Sequence, residues 1–328
     1  MHEKSAASIA GHPAGIAFLF PGQGSNLLSM GRELAKSGRV ARRVFEQASD
    51  VLGWPLIQAF ENGSGSDMGE GTRHQPALLA LSYSALRLLQ DSMPLEPDAC
   101  LGHSLGEYSA LVAAGCLSFE DGLKCVEERA RLIAEAMDDG AGGMAAVISL
   151  ERDCVEEICA ESAGEDVLEV ANLNAPDQIV ISGHKAAMDR AKPRIMKAGA
   201  RAFIRLKVDA PFHSPLMRPV VGRLADVLER VEFSAPACPV LSNVTGLPHQ
   251  EPDSIRRRLA EQVASPVRWE DCVRWVLGKG VRRFVELGPG GVLGGLLRSI
   301  DRGSSCIGLD EKGAISDVQA TFSREALQ

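Results

Sequence analysis

Short apolar runs of strand length alternate along the chain with longer stretches whose apolar residues recur every three or four positions, the pattern of an α/β protein. Ile16–Phe20 is such a run, and it enters the turn-rich loop Pro21-Gly22-Gln23-Gly24-Ser25 before an amphipathic stretch at 27–35. The periodicity then predicts a helix over Arg39–Leu52, a Gly/Ser/Asp-rich loop at 63–71, and a helix over 75–91 that ends before Pro94 and Pro97. A strand at 99–101 feeds Gly102-His103-Ser104-Leu105-Gly106 and a helix over 107–114. Ser118, with Asp121 three residues on, resembles a capping box and starts a helix to about residue 137. Asp138-Asp139-Gly140-Ala141-Gly142-Gly143 reads as a hinge.

Beyond the hinge the pattern predicts strand 144–150, helix Arg152–Ala163, strand 167–172, an Asn-Ala-Pro-Asp turn, strand 178–182, helix 186–198 and strand 202–208. This βαββαβ order is that of a ferredoxin-like domain. The α/β pattern resumes with helix 215–230, strand 240–242, helices 255–263 and Trp269–Gly278, strand 283–287 and helix 291–300. The expected organisation is therefore a large α/β domain, 14–140 and 209–310, interrupted by a ferredoxin-like domain at 141–208 and followed by a C-terminal tail, 311–328.

Composition narrows the classes of function. The chain has 328 residues, 45% hydrophobic and 24% charged, which fits an ordinary globular protein and excludes a disordered or collagen-like one. A formal charge of −8 and the lack of a long basic block argue against nucleic acid as a partner. Apolar runs such as Ile16–Phe20 and 110–114 hold about five residues where a membrane helix needs roughly 20, so no membrane span is expected. The first fifteen residues lack the apolar stretch of a signal peptide, and the expected location is the cytoplasm. Eight scattered cysteines form neither a C-x-x-C nor a Cys/His ligand pattern, so they read as buried thiols in a reducing compartment, with no metal expected.

Gly102-His103-Ser104-Leu105-Gly106 fits G-x-S-x-G, the sharp strand-to-helix turn that lifts a serine hydroxyl clear of a sheet. Such a nucleophile needs a base. Of seven histidines, His2 and His12 lie in the loose N-terminus, His249 in a polar loop between prolines, and His103 beside Ser104, where its ring should point away from the hydroxyl. His74, His184 and His213 remain, with His213 best placed, in the loop that re-enters the large domain. Acyl transfer also needs two backbone N–H groups aimed at the oxyanion, and those of Leu105 and Gln23 are the candidates. The Gly-rich loops 21–24 and 288–291 complete neither nucleotide-binding fingerprint.

Arg129 falls inside the apolar arc that Leu123, Val126, Ala130 and Ile133 draw on the 118–137 helix, widened by Cys125 and Leu132. A guanidinium held against a core needs an anionic partner, either a carboxylate of the protein or one of the substrate, which arginine's fork binds bidentately.

These residues closely resemble the malonyl-CoA:acyl carrier protein transacylases and related acyltransferases of fatty acid and polyketide synthesis. The stretches that carry the resemblance run from Phe20-Pro21-Gly22-Gln23-Gly24-Ser25 through Gln75-Pro76-Ala77, Gly102 to Ala110, Gly143 to Val147, Asn172 to Asn174, Phe212-His213-Ser214 and Ser265 to Trp269, to Glu286-Leu287-Gly288-Pro289-Gly290. The resemblance implies an α/β-hydrolase-like large domain with a ferredoxin-like insertion. It implies Ser104 as nucleophile, His213 as base, Arg129 as the carboxylate-binding arginine, Gln23 and Leu105 as the oxyanion hole, and Asn174 among the substrate-binding residues. It also places Gln262 at the site, its backbone carbonyl orienting His213 in place of a triad aspartate. Phe212 looks like the malonyl-selective version of that position, and Asn26 departs from the usual glutamine. The implied reaction is an S-malonyltransfer from the coenzyme A thioester to the phosphopantetheine thiol of an acyl carrier protein, with no resident cofactor. A trans-acting polyketide synthase acyltransferase is an alternative on the same fold. So is an acyl hydrolase, but such relatives tend to lack the arginine.

Overall fold

The computed structural model describes residues 15–23, 27–63, 72–136, 140–208, 210–309 and 314–323. The N-terminal stretch with His2 and His12, residues 24–26 with Asn26, most of the 63–71 loop, the hinge residues Asp138 and Asp139, and the remaining parts of 311–328 lie outside the described residues.

Five strands, β1 (Ile16–Phe20), β2 (Ala99–Gly102), β7 (Val240–Leu241), β8 (Arg283–Glu286) and β9 (Ser305–Gly308), form a parallel sheet in the order β7-β2-β1-β8-β9. A central parallel strand is buried on both faces, and the uninterrupted apolar run of β1 follows from that. Phe18 and Phe20 face a core built with helices α1 (Leu27–Lys36), α2 (Arg39–Leu52), α3 (Leu56–Asn62), α4 (His74–Ser92), α5 (Gly106–Ala113), α6 (Phe119–Glu135), α9 (Arg218–Leu228) and α10 (Pro252–Gln262). Ala17 and Leu19 face a second core under α11 (Trp269–Gly278) and α12 (Val292–Ile300). The buried Glu286 carboxylate at the end of β8 accepts from Leu293 and Gly294 N–H, 3.1 and 2.9 Å, which caps the start of α12.

The second sheet is antiparallel: β3 (Gly142–Ile148), β4 (Leu168–Ala175), β5 (Gln178–His184) and β6 (Ala202–Arg205) in the order β4-β5-β3-β6, with α7 (Arg152–Ala163) and α8 (Lys185–Lys197) on one face. This is the ferredoxin-like order. Its other face, with Met144, Ala146 and Val180, packs against Phe212.

Several boundaries differ from the sequence expectation. Gly142 and Gly143, read as hinge, are paired in β3 opposite His184 and Gly183. A Cβ on Gly142 would sit 2.6 Å from the Pro211 ring, so this position takes glycine because of packing. The predicted 215–230 helix is a 3-10 turn, Pro215–Met217, followed by α9, because Pro215 and Pro219 supply no N–H. Helix α3 has too few residues to show a period. Strand β9 has no buried residue, Ser305 being exposed and 306–308 half-buried, and owes its existence to pairing with β8. The segment read as a tail holds α13 (Ala314–Ser323), whose Val318 is fully buried.

Candidate active site

The loops at the carboxyl ends of β1, β2 and β8 meet the open face of the second sheet in a cleft of about 220 Å³. Sites that enclose a drug-sized ligand run to roughly 300–1,000 Å³, so this cleft suits the reacting end of a larger molecule. Ser104 stands in it at the end of β2 with φ 51°, a left-handed conformation rare outside glycine and enriched at functional sites. Two glycines make the turn possible. A Cβ on Gly102 would lie 2.0 Å from the Gly106 carbonyl, and one on Gly106 would lie 2.0 Å from Phe20 O.

Ser104 Oγ is 2.8 Å from His213 Nε2. His213 Nδ1 is 2.8 Å from the backbone oxygen of Gln262, and a carbonyl oxygen only accepts, so Nδ1 carries the proton and Nε2 is the free acceptor for the serine hydroxyl. His213 also has a left-handed backbone, φ 61°, held by its N–H donating to Val263 O at 2.9 Å. Burial above all, and then the Arg129 charge, push the His213 pKa down to about 3, so the ring is neutral at physiological pH. A neutral imidazole hydrogen-bonded to a serine hydroxyl can take its proton.

Arg129 is 1% exposed on α6. Its Nη1 donates to Gln75 Oε1 at 2.7 Å, and Nη2 lies 3.4 Å from Ser104 Oγ. Nε has no partner, and among the described residues no carboxylate lies within 4 Å of the guanidinium. Its one close side-chain acceptor besides the serine is a neutral amide. The ion pair within the protein that the sequence left open is not made there, and the fork faces the cleft beside Ser104.

Leu105 and Gln23 line the same cleft, and among the described residues neither backbone N–H has an acceptor. Phe212 lines it as well. Asn174 reaches it from β4, where its Oδ1 lies 2.8 Å from His103 Nε2. The His103 ring is thus turned away from the serine and against Trp269. Burial lowers the His103 pKa. His184 lies in the second sheet, where its Nδ1 accepts from Val167 N–H at 2.9 Å, and His74 begins α4; neither lines the cleft. His249, read as a loop histidine, is buried with its Nε2 2.7 Å from Glu107 Oε1.

Three residues around the site, Gln75, Glu107 and Asn243, were given no role from the sequence, and His249 was set aside as a loop histidine. Gln75 and Glu107 lie inside motifs that were noted for other residues. Asn243 and His249 follow the two-residue strand β7 and carry no local pattern, so only their place beside β2 brings them in.

Residues 17–301 match the model of the acyl transferase domain family. The chain belongs to that family. Among relatives of this acyltransferase, the malonyl CoA-acyl carrier protein transacylase of Haemophilus influenzae is 38% identical over 305 residues, 93% of this chain and 98% of the relative. That of Bacillus subtilis is 38% identical over 311 residues, 94% and 98%. The solved malonyl CoA-acyl carrier protein transacylase of Coxiella burnetii superposes with TM-score 0.91 at 38% identity, over 93% of this chain and 97% of that one. A malonyl-transacylase solved in complex with a type II polyketide acyl-carrier protein superposes with TM-score 0.91 at 37% identity, over 94% and 100%. Among the described residues no helix is long and apolar enough to cross a membrane.

Proposed function

We propose that this chain moves a malonyl group from coenzyme A to the phosphopantetheine thiol of an acyl carrier protein through an acyl-Ser104 intermediate. The observation that carries the malonyl assignment is Arg129, buried beside Ser104 Oγ with a neutral partner. With neutral oxygens as its hydrogen-bond acceptors and no carboxylate of the described residues in direct contact, the guanidinium suits a carboxylate that arrives with the substrate.

In this reading Ser104 Oγ attacks the thioester carbonyl as His213 Nε2 takes its proton. The Leu105 and Gln23 amides hold the oxyanion, and Arg129 holds the free carboxylate. Collapse breaks the C–S bond, and His213 returns the proton to the coenzyme A thiolate. The carrier thiol then loses its proton to His213 and attacks the acyl-serine, and the hydroxyl of Ser104 is restored. Phe212 and Met144 line the same cleft, whose volume of about 220 Å³ suits the acyl group and leaves the bulk of both thioesters outside. No resident cofactor or metal enters these steps. A cytoplasmic place fits the reading, since Cys100, Cys116, Cys125, Cys159 and Cys272 are buried thiols. Loading the purified protein from a panel of coenzyme A thioesters, read by intact mass, tests it: a single malonyl adduct on Ser104 that an acyl carrier protein discharges is the expected result.

His213→Ala slows loading by roughly 10²–10⁴-fold, the usual contribution of a positioned base. Because the folded ring stays neutral until the pH falls far below its ordinary value, the kcat/KM of the wild-type chain is flat from about pH 8 to about pH 5. An acid limb near the free histidine value would mean that the ring is hydrated.

Gln75→Glu puts a carboxylate where Arg129 Nη1 now meets a neutral oxygen. That internal ion pair competes with the substrate, so malonyl loading falls at least tenfold while acetyl loading is spared. Parallel changes for both acyl groups would show that the charge on Arg129 is not what reads the carboxylate.

A further inference from the structure

One buried carboxylate is tied to both reacting side chains without lining the cleft. Glu107, in the first turn of α5, is 0% exposed. Its Oε2 accepts from Gln262 Nε2 at 2.7 Å and from the Asn243 backbone N–H at 2.9 Å, and its Oε1 lies 2.7 Å from His249 Nε2. Each Oε2 donor leads to one half of the site. Asn243 Oδ1 accepts from Ser104 N–H at 2.6 Å while its Nδ2 donates to Gly102 O at 2.8 Å, which fixes both ends of the turn that carries the nucleophile. Gln262 donates to Ser104 O at 3.0 Å, and its own backbone oxygen faces His213 Nδ1.

Burying a carboxylate is costly unless its oxygens are satisfied, and a fold that needed only a core here would be served as well by an apolar side chain. Besides Ser104 O, the Gln262 side chain has no other partner than Glu107, since among the described residues its Oε1 has none. Ser104 and His213 both hold left-handed backbones, which persist only where the surroundings over-determine them.

We propose that Glu107 is a positioning residue for acyl transfer: through Asn243 and Gln262 its Oε2 sets the serine turn and the His213 carbonyl acceptor in one register. The proposal rests on the acyl-serine reading. A misplacement of about 1 Å in such a pair costs on the order of 10²-fold in rate.

The test is the rate of malonyl loading per active serine, with KM measured alongside, in Glu107→Ala and Glu107→Gln. The alanine variant loses about 10²-fold in kcat with KM within about twofold of wild type. The glutamine variant recovers much of that loss: its amide oxygen takes the Oε2 place, and its NH₂ donates to His249 Nε2 once the imidazole proton shifts to Nδ1. Loading by the alanine variant at the wild-type rate per active serine, with only a lowered Tm, would overturn the proposal, as would a glutamine variant as slow as the alanine one. Should the alanine variant not fold, Glu107→Asp, which keeps the charge and withdraws the carboxylate from Asn243 and Gln262 by one methylene, carries the test: a fall in kcat at constant KM is expected, and a wild-type rate overturns it. If wild-type protein forms no adduct on Ser104, the acyl-serine reading itself fails; normal wild-type loading with unaffected variants refutes only the role of Glu107.

Discussion

Replacing Ser104 by alanine abolishes the covalent malonyl-enzyme: exposed to malonyl-coenzyme A, the variant keeps its unmodified mass where the wild-type chain gains one malonyl group. The reason is geometric. Ser104 Oγ is the hydroxyl within 2.8 Å of His213 Nε2, whereas Ser214, next to the histidine in sequence, donates to Pro211 O at 2.8 Å and is buried. Alanine tolerates the left-handed turn about as well as serine, so the variant folds, and turnover drops by roughly 10⁴-fold or more. A malonyl adduct persisting on the variant would show that another nucleophile carries the acyl group.

The second large effect is selective. Arg129→Ala loses malonyl transfer by about two to four decades, which corresponds to the roughly 3–5 kcal/mol of stranding a desolvated charge without its partner, here the substrate carboxylate. Acetyl transfer is retained or improved, since an acetyl group has no carboxylate to strand. The informative quantity is the malonyl-to-acetyl ratio of kcat/KM. Because Gln75 is the side chain bonded to Arg129 Nη1 and no carboxylate of the described protein lies within 4 Å of the guanidinium, the substitution breaks no direct ion pair, and the buried Glu107 keeps its own hydrogen-bond donors. Equal losses for both acyl groups in a folded variant would make Arg129 a structural residue.

The two sheets differ in how far they could be read. Strand β1 was legible because a parallel strand buried on both faces leaves a bare apolar run, and α6 because Ser118 caps it with an Oγ that accepts from Asp121 N–H at 3.0 Å. Strand β7 has two residues and β9 has no buried residue, so their pairing partners and not their own composition make them strands. Gly142 and Gly143 misled for a related reason: glycine next to glycine reads as a hinge, and the Pro211 ring that forbids a side chain at Gly142 lies 69 positions away in the sequence.

At the site the same division holds. Local sequence determined the serine turn, because the glycines at 102 and 106 answer to backbone within a few residues or on the adjacent strand, and it marked Arg129, because a charge inside a helical apolar arc shows in the period alone. By itself it narrowed the base to three histidines and left the partner of Arg129 open. Only the tertiary structure decided that His213 meets Ser104, that Gln262 supplies a carbonyl in place of a carboxylate, and that Glu107 and Asn243 brace the turn. Those contacts join residues 49 to 158 positions apart. Hydrogen bonds of that reach depend on how strands and helices stack, which no local period records.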